Sequence, residues 1–434
     1  MARAVGAMTF DSLPPEVVAK VKIALLDYLS CVYESLDLPF ARMAIDRARA
    51  AGGSSRVVGT DVRSAVGEAA FANAVLGHGL VREDMHTGSV SHLGVVVFPS
   101  LLALAQSNDK PTTGRDFITG VVCGYEIACS VGRALMDAET VRLFRPTGVC
   151  GPVGTAAGGA RMLGLDEKAL ASSMGLAANT SSGFNEWPRE GADDMYFHVG
   201  FAARNAVTCV DLASMGAYAS ATAVEGLFNA LRRSERAALV KPFAKGFEIL
   251  EVYHKPAPAC NYAQTACQVA LLLAQDGVRA GNVASIAVRG TGAALNYPGC
   301  NATGPFERVL QAKMSIQYCV AATLRNGVIA EGNYRMLDDA EIARLIGVTT
   351  LEEDSQLTAA YPKQQGARVR VTLRDGRIVE RELADVVPAT EAQIRARFRE
   401  AAGKVLGEGR AAAIESTVAG LEGIEHLGAL VTLL

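Results

Sequence analysis

Apolar residues recur at helical spacing along most of this chain. Val17, Val21, Leu25, Tyr28 (or Leu29) and Val32 mark the buried face of a first helix, with Ser12 as a cap and Pro14, Pro15 and Glu16 suited to its first turn. A second helix over 41–51 ends at Gly52-Gly53, followed by S-S-R-V-V-G-T-D as a turn-rich connector. Segments 65–76 and 95–104 are apolar or small nearly throughout, which predicts buried helices. Helices are expected again over 117–136, 153–163, 170–178, 200–215 and 223–231. Ala and Gly dominate 153–163, where small residues let helices approach closely. The polar-aromatic stretch S-S-G-F-N-E-W-P-R-E-G-A-D-D-M-Y-F-H-V-G reads as a long binding loop.

The period changes after Tyr253. K-P-A-P-A-C-N-Y is held extended by its prolines, a helix follows over 263–275, and 283–289 alternates like a strand. Ala367, Val369, Val371 and Leu373, then Asp375-Gly376 and Ile378-Val379, spell a hairpin. From Pro388 the helical pattern resumes, with Thr390 and Gln393 in capping-box spacing and a last helix over 411–421. The prediction is a mainly α fold: a large all-helical domain formed by both chain ends, 1–252 and 388–434, with an inserted α+β lid domain at 253–387.

Composition narrows the function. A net charge of -3 without a basic stripe gives nucleic-acid binding no electrostatic support. The most apolar run, around Leu93 to Ala105, is interrupted by Gly94, Pro99 and Ser100 and is too short for the roughly 20 residues of a bilayer span, and the N-terminal residues resemble neither a signal nor a transit peptide. Nine scattered cysteines without a C-x-x-C pair read as buried thiols in a reducing compartment, so the expectation is cytoplasmic. The glycine-rich run at 148–164 lacks the order and context of a phosphate loop.

Chemistry concentrates in G-H-G-L-V-R-E-D-M-H-T-G-S-V-S-H-L-G, Gly77 to Gly94, which holds three of six histidines beside Arg82, Glu83 and Asp84. Pinned between buried helices, this segment has its titratable groups desolvated. Four readings are open: helix-capping histidines on a turn; a metal site, whose spacing matches no zinc pattern; a cysteine nucleophile, with Cys260 after Lys255; and carbon-acid proton transfer, for which Arg82, Arg145, Arg189 and Lys255 supply cations for carboxylates. The last fits the inventory best.

Five blocks in order, L-P-P-E-V-V-A-K-V-K-I-A-L-L-D, the His78–Gly94 block, P-T-G-V-C-G-P-V-G-T-A-A, K-P-A-P-A-C-N-Y and A-K-M-S-I-Q-Y-C-V-A-A, resemble the MmgE/PrpD family. Its activities include 2-methylcitrate dehydration, cis-aconitate decarboxylation and iminodisuccinate epimerisation. The resemblance implies a homodimer with a helical domain, a lid and a cleft between them, acting without cofactor or metal on a small polycarboxylate through a carbanion.

Carried over by position, Glu83, Asp84, His86, His92, Lys255 and Cys260 match the family pattern. Val81 replaces its first Asp, Arg145 a His before P-T-G, Met195 a Lys before His198, and Gln264 a His after K-P-x-P-x-C. Those losses point away from elimination and toward an isomerase that abstracts and returns an α-proton, as in the iminodisuccinate epimerase branch. The expected machinery is His92 and Lys255 as base and acid, with Asp84 orienting His92. Arg82, His86, Arg145, Tyr318, Cys260 and His198 are expected to bind substrate. A dehydratase of a 2-methylcitrate-like tricarboxylate and a non-catalytic polycarboxylate binder are the alternatives.

Overall fold

The computed structural model describes residues 1–108 and 110–434. Its helical part is built around the pair Gly114–Leu135 and Pro146–Met162. A Cβ at Gly154 would run into Ala128 Cβ and the Gly124 carbonyl, and one at Gly158 into the Gly120 carbonyl. The small residues are there for backbone contact, as the pattern predicts. Asp194–Ser214 lies across Pro146–Met162 and Val66–His78, which in turn packs on Gly94–Ser107. Gly114–Leu135 is long and apolar enough to cross a membrane, yet its apolar window is 94% buried inside the protein.

The two chain ends meet where Pro15–Ser35 packs against Glu391–Leu406, whose Thr390/Gln393 capping box forms as predicted. Strands within 253–387 build one four-stranded sheet in the order Thr349–Glu353, Val283–Gly290, Ala367–Leu373, Ile378–Leu383. The predicted hairpin has Val371 opposite Val379 and Thr372 opposite Ile378, with Ala367, Val369, Val371 and Leu373 buried under the Gln264–Gln275 helix.

Three expectations need correcting. The helical part is not all-helical: Ser55–Arg56 pairs with Arg63–Ser64, and Met85–His86 with Val252–Tyr253. The stretch expected as a long loop carries the short helix Trp187–Glu190, opened by Pro188 and stopped by Gly191 at φ 64°, so His198 sits on the next helix. The strand Thr349–Glu353 was missed because it pairs in parallel with Val283–Gly290, a partner too remote for local pattern to announce.

Candidate active site

The Gly77–Gly94 segment is held from both sides. Val81 and Val90 adopt left-handed conformations, φ 58° and 53°, which are uncommon and strained for β-branched residues. The Leu80-Val81 turn is fixed by two buried lysines: Lys255 Nζ donates to the Val81 carbonyl, and Lys313 Nζ donates to the Leu80 carbonyl at 2.9 Å while pairing with Glu331 at 2.9 Å. The Asp84 carboxylate accepts from the Tyr125 hydroxyl and from Gly94 N–H at 3.1 Å. Only glycine permits this approach, since a Cβ at residue 94 would lie 2.7 Å from the Tyr125 oxygen and 3.0 Å from Asp84 Oδ1. Burial pushes the Asp84 carboxyl up to about 6, against the hydrogen bond from Tyr125.

Glu83 bridges two imidazoles. Its Oε1 lies 2.7 Å from His78 Nδ1 and 3.1 Å from His92 Nδ1. Arg145 Nη2 stands 3.0 Å from His78 Nε2, and a guanidinium only donates, so that nitrogen accepts and His78 carries its proton on Nδ1. His92 Nδ1 lies 3.0 Å from the Asp84 carbonyl as well as near Glu83, two acceptors that assign its proton to Nδ1 too. The Nε2 lone pair of His92 is then free. Desolvation lowers the affinity of both imidazoles for a second proton, against the pull of Glu83. Burial alone favours a protonated Glu83, but His78, His92 and Lys255 outweigh it and hold the carboxyl well below the usual carboxylate range.

His92 opens onto a narrow cavity of about 30 Å³. Its polar wall includes Arg145, Cys260, Asn261, Tyr262 and Tyr297, and its apolar wall Val81, Met195 and Trp187. Arg145 is buried, with its guanidinium carbon 5.4 Å from the Trp187 ring centre and its Nε without a partner among the described residues. Cys260 Sγ lies 3.6 Å from Cys300 Sγ. The loop bearing Cys260 is braced by Gln264, whose side-chain amide donates to the carbonyls of Ala257 and Ala259 and accepts from Ala257 N–H.

Sequence comparison settles the family. The MmgE/PrpD N-terminal domain matches residues 1–240 and the MmgE/PrpD C-terminal domain residues 257–423. The chain belongs to the MmgE/PrpD family. A cis-aconitate decarboxylase of Aspergillus terreus is 23% identical over 98% of this chain and 93% of its own length. The cis-aconitate decarboxylase-like protein oryM of Aspergillus oryzae is 26% identical over 98% of this chain and 94% of its own. Relatives of this MmgE/PrpD chain are therefore enzymes named for lyase chemistry on a small polycarboxylate.

Several residues expected at the site stand elsewhere. Arg82 turns toward Pro15–Ser35, pairing with Glu34 at 2.8 Å and reaching Ser30 Oγ at 3.3 Å. Tyr318 donates to the Asn333 carbonyl at 3.0 Å inside the sheet-bearing part. His198 lies near Arg145, and burial, followed by the Arg145 charge, lowers its ring to about 4. Asp84 offers His92 its carbonyl, and the carboxylate that meets the imidazole is Glu83. Lys255 is fully buried behind Val81 and is not on the cavity wall. Gln264, at the position of a family histidine, is consumed as a brace. Trp187 reaches the wall from the stretch read as a binding loop, whereas Tyr297 has no local signal in the sequence.

His86 faces the outer side of the segment, 3.1 Å from Glu248, which also pairs with Arg133. With Cys129 these make the one three-ligand group among the described residues. Ser89 N–H donates to His86 Nδ1 at 3.1 Å, and His86 Nε2 stands 3.1 Å from Glu248 and 3.4 Å from Arg133 Nη2. The Arg133 guanidinium, already paired with Glu248, leaves the group ill suited to a cation.

Proposed function

We propose that this chain is a cofactor-independent isomerase that removes and returns the α-proton of a small amino- or imino-dicarboxylate, as in iminodisuccinate epimerisation. The observation that carries the reading is His92: a neutral imidazole with Nδ1–H donated to the Asp84 carbonyl beside the Glu83 carboxylate, and Nε2 free in a cavity that also holds Arg145. Arg145 binds the carboxylate next to the reacting carbon. His92 Nε2 takes the proton, Glu83 stabilises the imidazolium, and the enediolate charge gathers beside Arg145 in the field of Lys255. Arg145 is the charged side chain on the cavity wall, which favours an anionic substrate.

The strand-bearing segment 253–387 is proposed as a lid, since Cys260, Asn261, Tyr262 and Tyr297 come from it while His92 and Arg145 do not. A cytoplasmic homodimer belongs to the same proposal and rests on family membership. The second reading, elimination from a tricarboxylate, is favoured by the decarboxylase names of the relatives. Against it stand Val81 and Met195, apolar wall residues at positions where lyase members carry Asp and Lys.

Incubation with iminodisuccinate in heavy water separates the readings. Solvent deuterium at the α-carbon, without loss of water or carbon dioxide, is expected. Dehydration of methylcitrate or decarboxylation of cis-aconitate without such exchange sinks the isomerase reading. Saturable binding with neither reaction leaves a non-catalytic binder.

A further inference from the structure

We propose that Cys260 is the second proton-handling group of this cavity, its thiol serving the face of the reacting carbon opposite to His92. This rests on the reading of the cavity as a site of α-proton transfer, and on elimination among wall residues. Inversion at carbon needs two groups, because a base that removes a proton from one face cannot return it to the other. The wall residues with exchangeable protons besides His92 are Arg145, Trp187, Cys260, Asn261, Tyr262 and Tyr297. A guanidinium, an indole and an amide do not transfer protons near neutral pH. The Tyr297 hydroxyl donates to Asn185 and the Tyr262 hydroxyl is shared with Tyr361 at 3.2 Å, and burial raises both phenols above their ordinary range. Lys255 stands behind Val81 with its ammonium spent on a carbonyl.

Cys260 is left, and its surroundings suit the role. All nine cysteines are free and buried, but Cys260 is the one on the cavity wall. Its backbone N–H donates to the Lys313 carbonyl at 2.9 Å, and Arg397 clamps the carbonyls of Lys255 and Pro256 at 3.0 and 2.9 Å, so the sulfur is held in place. The contact with Cys300 Sγ, the Tyr262 backbone N–H and the charges of Lys255 and Arg145 together lower the Cys260 thiol from its ordinary value despite burial. A thiol so placed gives a proton and holds the resulting thiolate.

The step balances. Neutral His92 takes the α-proton while the C–H pair moves into the enediolate. The enediolate carbon then takes the thiol proton, giving imidazolium and thiolate. Loss of a proton from His92 to water and gain of one by Cys260 restores the start, and the reverse reaction exchanges the roles.

A single stereoisomer of iminodisuccinate in heavy water tests this. For the isomer whose proton faces His92, Cys260→Ala is expected to keep α-deuterium incorporation with retention while epimerisation falls by roughly 10²-fold or more. Epimerisation by Cys260→Ala within about threefold of the wild type, on the same scale of effect, overturns the assignment. If Cys260→Ala loses both, Cys260→Ser decides: exchange without inversion upholds the role, and loss of both again overturns it. Wild-type protein that exchanges no isomer overturns the parent reading, and this one with it; a wild type that epimerises beside an unimpaired Cys260→Ala overturns only this one.

Discussion

Glu83 meets His92 at 3.1 Å through Nδ1, leaving the opposite ring nitrogen of His92 for the cavity. The Asp84 carbonyl accepts from Nδ1–H and fixes the tautomer, and the Glu83 carboxylate beside it stabilises the imidazolium. Replacing Glu83 by Gln keeps the shape and removes the charge. Turnover is expected to fall on the order of 10² to 10⁴-fold. The acid limb of kcat/KM also moves to lower pH, because Glu83 is the group that raises the His92 pKa against burial. A limb that stays in place or moves upward contradicts the pairing.

Arg145 donates to His78 and lies against Trp187, so the remaining guanidinium edge is preset for a carboxylate. Arg145→Lys keeps the charge and loses the fork. KM is expected to rise roughly 10- to 100-fold, the worth of a charged hydrogen bond, with a smaller effect on kcat. Steady-state kinetics on iminodisuccinate checks this, and an unchanged KM argues that the carboxylate sits elsewhere.

Val81 stands on the wall with its carbonyl on Lys255, at a position where lyase members of the family carry Asp. Asp tolerates a left-handed φ better than Val, so Val81→Asp is compatible with the turn. It puts a carboxyl into the cavity beside Arg145 and His92. The expected outcome is a gain of carbon dioxide release from cis-aconitate, measured by coupled assay, together with slower epimerisation. No gain means that the absent carboxylate is not what separates the two chemistries.

Helix packing gives a stability test far from the chemistry. Gly154→Ala puts a methyl group between the Gly124 carbonyl and Ala128 where the helices touch. Overpacking of this kind costs about 1–3 kcal/mol. A lower urea midpoint with an unchanged slope is expected; an unaltered midpoint shows that the helices separate freely.

Much of the fold was legible because it is written locally. The 66–78 helix is apolar almost throughout, the capping box at Thr390 and Gln393 is four residues of sequence, and Val369, Val371 and Asp375-Gly376 specify a hairpin on their own. The site was less legible because its geometry is set from afar. Which of two adjacent carboxylates faces His92 depends on the left-handed turn at Val81, and that turn is fixed by Lys255 and Lys313, 174 and 233 residues from the carbonyls they hold. Arg82 reads as a substrate cation until Glu34, on the first long helix, claims it. Lys255 likewise stands at the right place in the sequence, but its ammonium is bound behind the wall.

Asp84 gives a pH test whose sign is opposite to that of its neighbour. Its folded carboxyl titrates near 6, above the 3.9 or so of an unfolded chain, because burial penalises the charge. The native state therefore takes up a proton first as pH falls, and stability gained from Asp84 accrues as pH drops from above 6 toward about 4, where the unfolded chain protonates as well. Glu83, held below the usual range, contributes stability that is complete above the unfolded value of about 4.3, so it stays nearly constant between pH 5 and 7. Asp84→Asn removes the first effect and leaves the second. Relative to the wild type, this variant is expected to be most favoured at pH 7.5 and to lose that advantage by pH 4.5 in urea unfolding. A difference that stays constant with pH, or grows as pH falls, means that Asp84 is ionised in the native protein throughout, with Tyr125 and Gly94 compensating its burial in full.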